Sequence, residues 1–375
     1  MSKVEVSATS SSKELGFFID FPHDLYRDDK NYVPELFIAQ RDLLTPGKHP
    51  FHEHSELQTF LARRDGAIVG RIAAIWNNNH NAFNGTHDGF FGFFECVNDI
   101  EVAAALVEKA AAWLKSKGAT TIIGPVNFST NETCGLLIEG PDAPPFIMTT
   151  YNPPYYKALL EQLGFAKKVD LIAYAFVGNQ WEDKPLRVMN AFAERLKRSG
   201  ITIRPVNLKN FKEEAANIKE VYNSAWDKNL GFVPMTDKEF DYMAKDMKLL
   251  VDPDFCLVAE KEGKIIGFAL ALPDINQVFR KVKRGRLFPW GLLTIIFQKR
   301  KINAVRVIAL GVLERYRKMG VEACFYGRIM QAYRDKRYQS AEASWILENN
   351  ELMNRALIQM ETIPYKRYRI FEKTL

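Results

Sequence analysis

Arg317-Lys318-Met319-Gly320-Val321 places two cations and a glycine directly ahead of a helix-forming run. The N-terminus of a helix offers unpaired N–H groups and a partial positive charge, and a glycine in the turn lets backbone approach an anion closely. The pattern fits a phosphate-bearing ligand, or else a basic turn on an ordinary helix. Glu95 closes a Phe-rich run at 89–96. A carboxyl among phenylalanines has its pKa raised and can take a proton near neutrality. The same residue also fits a carboxylate favoured by the dipole of the helix that follows Asp99. Asn127, Ser129, Thr130, Asn131 and Glu132 form a polar cluster in what reads as a long irregular segment reaching Thr150. Loops of that length in compact domains tend to carry function, which makes Asn131 and Glu132 candidates for catalysis; hydrogen bonds that staple the loop are their other reading.

Other chemistries find less support. All six histidines fall at or before His87, and the spacing of His49, His52 and His54 fits no common metal site, so no metal is expected. Cys96, Cys134, Cys256 and Cys324 lie far apart among apolar neighbours, as suits buried free thiols in a reducing cytoplasm. No His follows Cys134 to form a nucleophilic pair.

The elements that carry these residues alternate between strand and helix. In the first half, strands are expected at 57–63 and 67–75 across Arg64-Asp65-Gly66, then at 89–96, 120–124 and 169–176, with helices at 101–117 and 153–163. In the second half, strands are expected at 201–206, 255–260, 264–272, 303–312, 342–346 and 365–371. Helices there are expected at 185–199, 211–223, 321–335 and 351–360. Both halves thus show the same α/β (α+β) order, a mixed central sheet flanked by helices, divided as 1–180 and 181–375 with the boundary near 178–184. Residues 1–13 are Ser/Thr-rich, lack the apolar stretch of a secretory signal, and read as a frayed tail.

This order, with Arg317 and Gly320 between a strand and a helix, resembles the GNAT superfamily of acyl-CoA N-acyltransferases, whose loop reads Arg-x-x-Gly-x-Gly/Ala. Glu322 stands where that pattern has its last small residue, and the first half has no Arg-x-x-Gly in its corresponding loop at 95–99. The resemblance implies two tandem GNAT-like domains, with coenzyme A or acyl-CoA held in the second. There the backbone of Leu310 to Val312 would pair with the pantetheine arm. Arg317, Lys318, Met319, Gly320 and Val321 would hold the pyrophosphate, and Asn350 belongs to the family's next segment. The family's frequent Tyr proton donor would fall at Leu357. The stretches Phe91-Gly92-Phe93-Phe94-Glu95, Asn127-Phe128-Ser129-Thr130-Asn131-Glu132 and Tyr151-Asn152-Pro153-Pro154-Tyr155-Tyr156 resemble bacterial proteins with two such halves. The resemblance extends to the bacterial ceramide synthases, which implies an amine acceptor of lipid character.

Residues 280–301 hold eight basic residues and no acidic one around the apolar run 287–297. That run is too short to span a bilayer, but basic flanks around a Trp/Phe/Leu/Ile core suit an interfacial segment meeting anionic lipid. The alternative is a helix buried between domains with solvated ends. No nucleic-acid-binding motif accompanies the charge. With 47% hydrophobic and 26% charged residues and a net charge of +6, the 375-residue chain reads as a packed globular protein. It is expected to be cytoplasmic, with peripheral membrane contact.

Overall fold

The opening residues, expected to fray, form a strand instead. β1 (Glu5–Ala8) pairs antiparallel along β2 (Glu56–Arg64), from Glu5 opposite Arg63 to Ala8 opposite Phe60. In the computed structural model, residues 2–177, 184–225 and 231–375 are described. They form two units. The first takes in Met1–Leu171, Asn276–Arg300 and Lys366–Leu375, and the second Ile172–Ile275 and Lys301–Tyr365. The expected boundary at 178–184 lies outside the described residues up to residue 183. Segments 276–300 and 366–375, assigned from sequence to the second half, pack on the first unit.

After β1 come α1 (Ser12–Leu25) and α2 (Phe37–Leu44), then β2 and β3 (Ala67–Trp76), a hairpin whose turn places Asp65 and Gly66 in the left-handed region. α3 (Asn78–Asn84), β4 (Asp88–Cys96), α4 (Ile100–Ser116) and β5 (Thr121–Gly124) follow. The stretch expected to be irregular contains a two-stranded ribbon, β6 (Val126–Asn127) with β7 (Thr133–Cys134). It also contains β8 (Leu136–Glu139), and α5 (Tyr155–Gln162) comes next. β9 (Ala166–Val177) leads into the second unit, where α6 (Lys184–Arg198), β10 (Ile201–Pro205), α7 (Phe211–Ala225) and α8 (Asp237–Lys248) precede a second hairpin. That hairpin is β11 (Cys256–Lys261) with β12 (Lys264–Pro273). The chain then makes α9 (Asn276–Phe279) and α10 (Trp290–Gln298) on the first unit. β13 (Ala304–Val312), α11 (Val321–Asp335), β14 (Ser340–Leu347) and α12 (Glu351–Gln359) complete the second unit, and β15 (Ile363–Thr374) ends the chain.

Two series of strands repeat one for one. In the first unit the order is β1-β2-β3-β4-β5, and in the second β10-β11-β12-β13-β14. Within each series every neighbouring pair is antiparallel except the last. The parallel pairing is short in both cases. β4 pairs with β5 only over Asp88–Phe90, and β13 pairs with β14 only over Ala304–Val307. Beyond those residues β4 and β13 part from their parallel neighbours, and β4 is met there by the β6–β7 ribbon, whose Asn127 accepts from the N–H of Phe93.

Each unit closes over its own core. α4 follows the helical period, burying Val102, Leu106, Ala110 and Leu114 against Phe91, Ile122, Tyr156 and Phe371. In the second unit Val321, Phe325 and Ile329 of α11 meet Leu257, Ile266, Val305 and Leu357. A large apolar side chain so buried contributes about 1.5–3 kcal/mol, which is why these helices hold their registers. All four cysteines are buried as thiols outside any disulfide. No helix among the described residues is long and apolar enough to cross a membrane.

Candidate functional site

Both strands end at a strand-to-helix corner, and the two corners are built differently. In the first unit, Arg71 is the one charged residue of β3, and Glu95 the one charged residue of β4 after its opening Asp88. The antiparallel register sets them opposite each other, with Nη2 of Arg71 4.0 Å from Oε1 of Glu95. Their side chains are only 8% and 13% exposed. Oε2 of Glu95 accepts hydrogen bonds from the hydroxyls of Tyr26 (2.7 Å) and Tyr156 (2.8 Å). The N–H of Cys96 donates to the Tyr156 oxygen, and the Tyr155 hydroxyl donates to the Cys96 carbonyl, so the start of α5 pins the end of β4.

α1 and the chain after it supply the other wall. Tyr26, the residue that ends α1, stacks on Tyr32 with ring centroids 4.5 Å apart, and Tyr32 in turn bonds Nδ1 of His23. The Arg71 guanidinium lies over Phe18 and donates to the Phe18 carbonyl. Desolvation raises the Glu95 carboxyl above its ordinary range against the opposing pull of Arg71 and the two hydroxyls, and Glu35 adds a smaller push in the same direction. Glu35 is accessible to solvent yet closely surrounded by protein, and its carboxyl is also raised by desolvation. Burial and the nearby arginines hold His23 down to about 4, so it is neutral at pH 7. The result is a raised carboxyl with two phenolic donors and one cation.

The helix that follows this corner is closed. Asp99 caps α4 with its own carboxylate, which accepts from the N–H groups of Glu101 and Val102 and is held by Arg64 at 2.6 Å. Phosphate at that N-terminus would meet a carboxylate already in place.

At the second corner no side chain caps α11. Arg317 and Lys318 are exposed just ahead of it, and Nε of Arg317 donates to the carbonyl of Val312. Gly320 adopts φ +99°, a conformation that favours glycine, but the space beside it is not open. The ring of Phe192 on α6 lies where a Cβ would stand, 2.2 Å from that ideal position. The missing side chain at Gly320 therefore serves helix packing, contrary to its reading as an opening for an anion. Gly320 and Val321 are buried, whereas Glu322 and Ala323 remain partly accessible. Leu310 is partly exposed and Val312 buried on the stretch of β13 that has left β14, and Met319 packs against the core.

Other expected residues have local duties. Asn350 caps α12, its side chain accepting from the N–H of Met353. Glu132 is committed to its own loop: Oε2 accepts from the N–H groups of Phe128 and Ser129 and from the Ser129 hydroxyl. The N–H of Asn131 donates to that same hydroxyl. Asn127 reaches back to the N–H of Phe93, tying this loop to β4 two residues before Glu95. Sequence reasoning did not find Arg71, Tyr26 or Tyr156. The available signal was the lone Arg in an apolar strand, since an unpaired buried cation is costly and demands a carboxylate nearby. The second unit holds a counterpart in Arg306 and Glu342, opposite each other on β13 and β14 and bridged by Ser344, but at 2% and 0% exposure that pair is sealed. Beside it Val305, Val307, Tyr326, Met330 and Ala341 line an apolar cavity of about 20 Å³.

No protein-family profile matches the chain. It is 36% identical to Protein YghO of Escherichia coli over 97% of this chain and 94% of that protein. It is 32% identical to the bacterial ceramide synthase of Caulobacter vibrioides over 99% and 98% of the two chains. Among solved structures, a tandem GNAT protein from the clavulanic acid biosynthesis pathway superposes with a TM-score of 0.59, covering 99% of this chain and 98% of that one at 11% identity. At that identity the likeness establishes the fold alone, two GNAT units in tandem.

Proposed function

Since the chain belongs to the family that includes bacterial ceramide synthase and Protein YghO, we propose that it is an acyl-CoA-dependent N-acyltransferase whose acceptor is a lipidic amine. The observation that carries this reading is the contrast between the two corners. One presents an uncapped helix start with two exposed cations beside a strand edge, and the other a raised carboxyl held by tyrosines. In this reading Arg317, Lys318 and the uncapped start of α11 hold the diphosphate of coenzyme A, and the edge of β13 at Leu310 to Val312 that has left β14 takes the pantetheine arm.

The acceptor's ammonium must first lose its proton to a base, and Glu95, the raised carboxyl of the first unit, is the candidate for that role. The neutral nitrogen attacks the thioester carbonyl, a C–N bond forms as the C–S bond breaks, and coenzyme A leaves as the thiol once its sulfur is protonated. Asn131 and Glu132 act by shaping the loop that Asn127 ties to β4. The protein works on the cytoplasmic side at a membrane surface, where such an acceptor resides, and no metal takes part.

Release of free thiol from a long-chain acyl-CoA tests the proposal. Thiol should appear in proportion to added long-chain amine and not in its absence, with the amide as co-product. A second reading, an acyl-CoA- or lipid-binding protein without turnover, is favoured by Phe192 over Gly320 and by Leu357, fully buried where a proton donor would stand. Tight acyl-CoA binding with no thiol released under any amine would establish that reading instead.

A further inference from the structure

The segment 276–300 docks on the first unit through charge and backbone fit. Arg284 pairs with Asp24 at 2.8 Å and Arg286 with Asp20 at 2.7 Å, and the Arg286 guanidinium stacks over Phe37. Gly285 lies so close to the carbonyl of Glu35 that any side chain would collide with it. Two of the eight basic residues are thereby spent on holding the segment down. Arg280, Lys281, Lys283, Lys299, Arg300 and Lys301 stay exposed on either side of α10.

α10 itself is turned inside out for a surface helix. Gly291 is buried against the carbonyl of Arg286, and Thr294 and Gln298 share that inward side. At about 100° per residue, Trp290, Leu292, Leu293, Ile296 and Phe297 occupy roughly 160° of the opposite face. That face is open to solvent: Trp290 is 75% exposed, Phe297 69% and Ile296 56%, with Phe288 alongside at 74%. The Thr294 hydroxyl donates to the Trp290 carbonyl, so the helix surface offers hydrocarbon with almost no hydrogen-bonding group for a protein partner to match.

We infer that α10 is a membrane anchor, inserting this face into a bilayer while the six exposed cations meet anionic headgroups. Aromatic and aliphatic side chains enter the headgroup boundary, and each cation adds about fivefold to binding near an anionic surface. The inference rests on the preceding reading only for its purpose, delivery of a lipidic acceptor, and its test does not require turnover.

The full chain is floated with vesicles of phosphatidylcholine alone or with 30% phosphatidylglycerol as an added fraction, chosen as roughly a physiological anionic load. Wild type should float with the anionic vesicles, and salt should weaken the binding. Leu293→Asp/Ile296→Asp should abolish flotation. Lys299→Glu/Arg300→Glu/Lys301→Glu should weaken it roughly hundredfold while leaving the thermal melt unchanged. Brominated lipid should quench wild type more than Trp290→Phe, which reports insertion directly. Equal flotation of wild type and Leu293→Asp/Ile296→Asp would overturn the inference. So would absence of flotation together with a dimer, by light scattering, that the same variant dissociates; a second copy would then cover the face. Loss of flotation with retained thiol release on a water-soluble amine separates failure of anchoring from failure of the catalytic reading.

Discussion

The corner after β4 and the corner after β13 share one backbone plan and differ in what their side chains do with it. In each, a strand leaves its parallel neighbour after a few residues and turns into a helix packed on the sheet. At the first, Asp99 and Arg64 satisfy the helix start internally, and the strand's end carries Glu95 among hydroxyls. At the second, the helix start has no side-chain cap and the loop is basic. The same backbone plan thus carries a capped helix start beside a buried carboxyl in one unit and an uncapped helix start behind a basic loop in the other.

The sharpest way to break this comparison is Glu95→Gln. Thiol release should fall roughly 10²- to 10⁴-fold with little change in KM for acyl-CoA. Because the Glu95 carboxyl is raised, wild-type turnover should climb with pH through a value above the ordinary carboxylate range, as the group loses its proton. The variant should lose that limb, and a pH profile that keeps it would assign the titration elsewhere.

Arg317→Glu probes the other corner. KM for acyl-CoA should rise roughly 10- to 100-fold, about the worth of a hydrogen bond to a charged group, and Lys318→Glu should shift it the same way. A normal KM in both variants would remove the diphosphate from this corner. The smallest effect is expected from Asp99→Ala, which strips the cap from α4. A thermal melt should show a loss of about 1 kcal/mol with KM for acyl-CoA unmoved. A tenfold change in KM would mean that the first corner also touches the coenzyme, and the division of labour would fail.

Much of the scaffold was legible from local pattern. The hairpin turn at Asp65-Gly66 forms as expected, and the turn at Glu262-Gly263 and the helix cap at Asp99 likewise depend on residues only a few positions apart. β1 escaped notice because four alternating residues are too short a signal; pairing with the edge of β2 makes it a strand. Packing of Phe192 against Gly320 was not legible for a related reason: nothing local to the glycine shows which ring lies beside it. Glu132 could equally have faced a ligand or its own loop, and the turn at Ser129 decided for the loop.

The sequence by itself determined the alternation of strand and helix, its repetition, the basic loop before α11 and the apolar basic segment at 280–301, because each follows from propensity, period or composition within a short window. Tertiary structure alone decided that Tyr26, Arg71, Glu95 and Tyr156 meet, and that Arg284 and Arg286 are drawn to Asp20 and Asp24 while the face of α10 is left bare. Those meetings join residues up to 266 positions apart. They are set by strand register and by the burial of a whole core, to which no single segment contributes enough to reveal the outcome in advance.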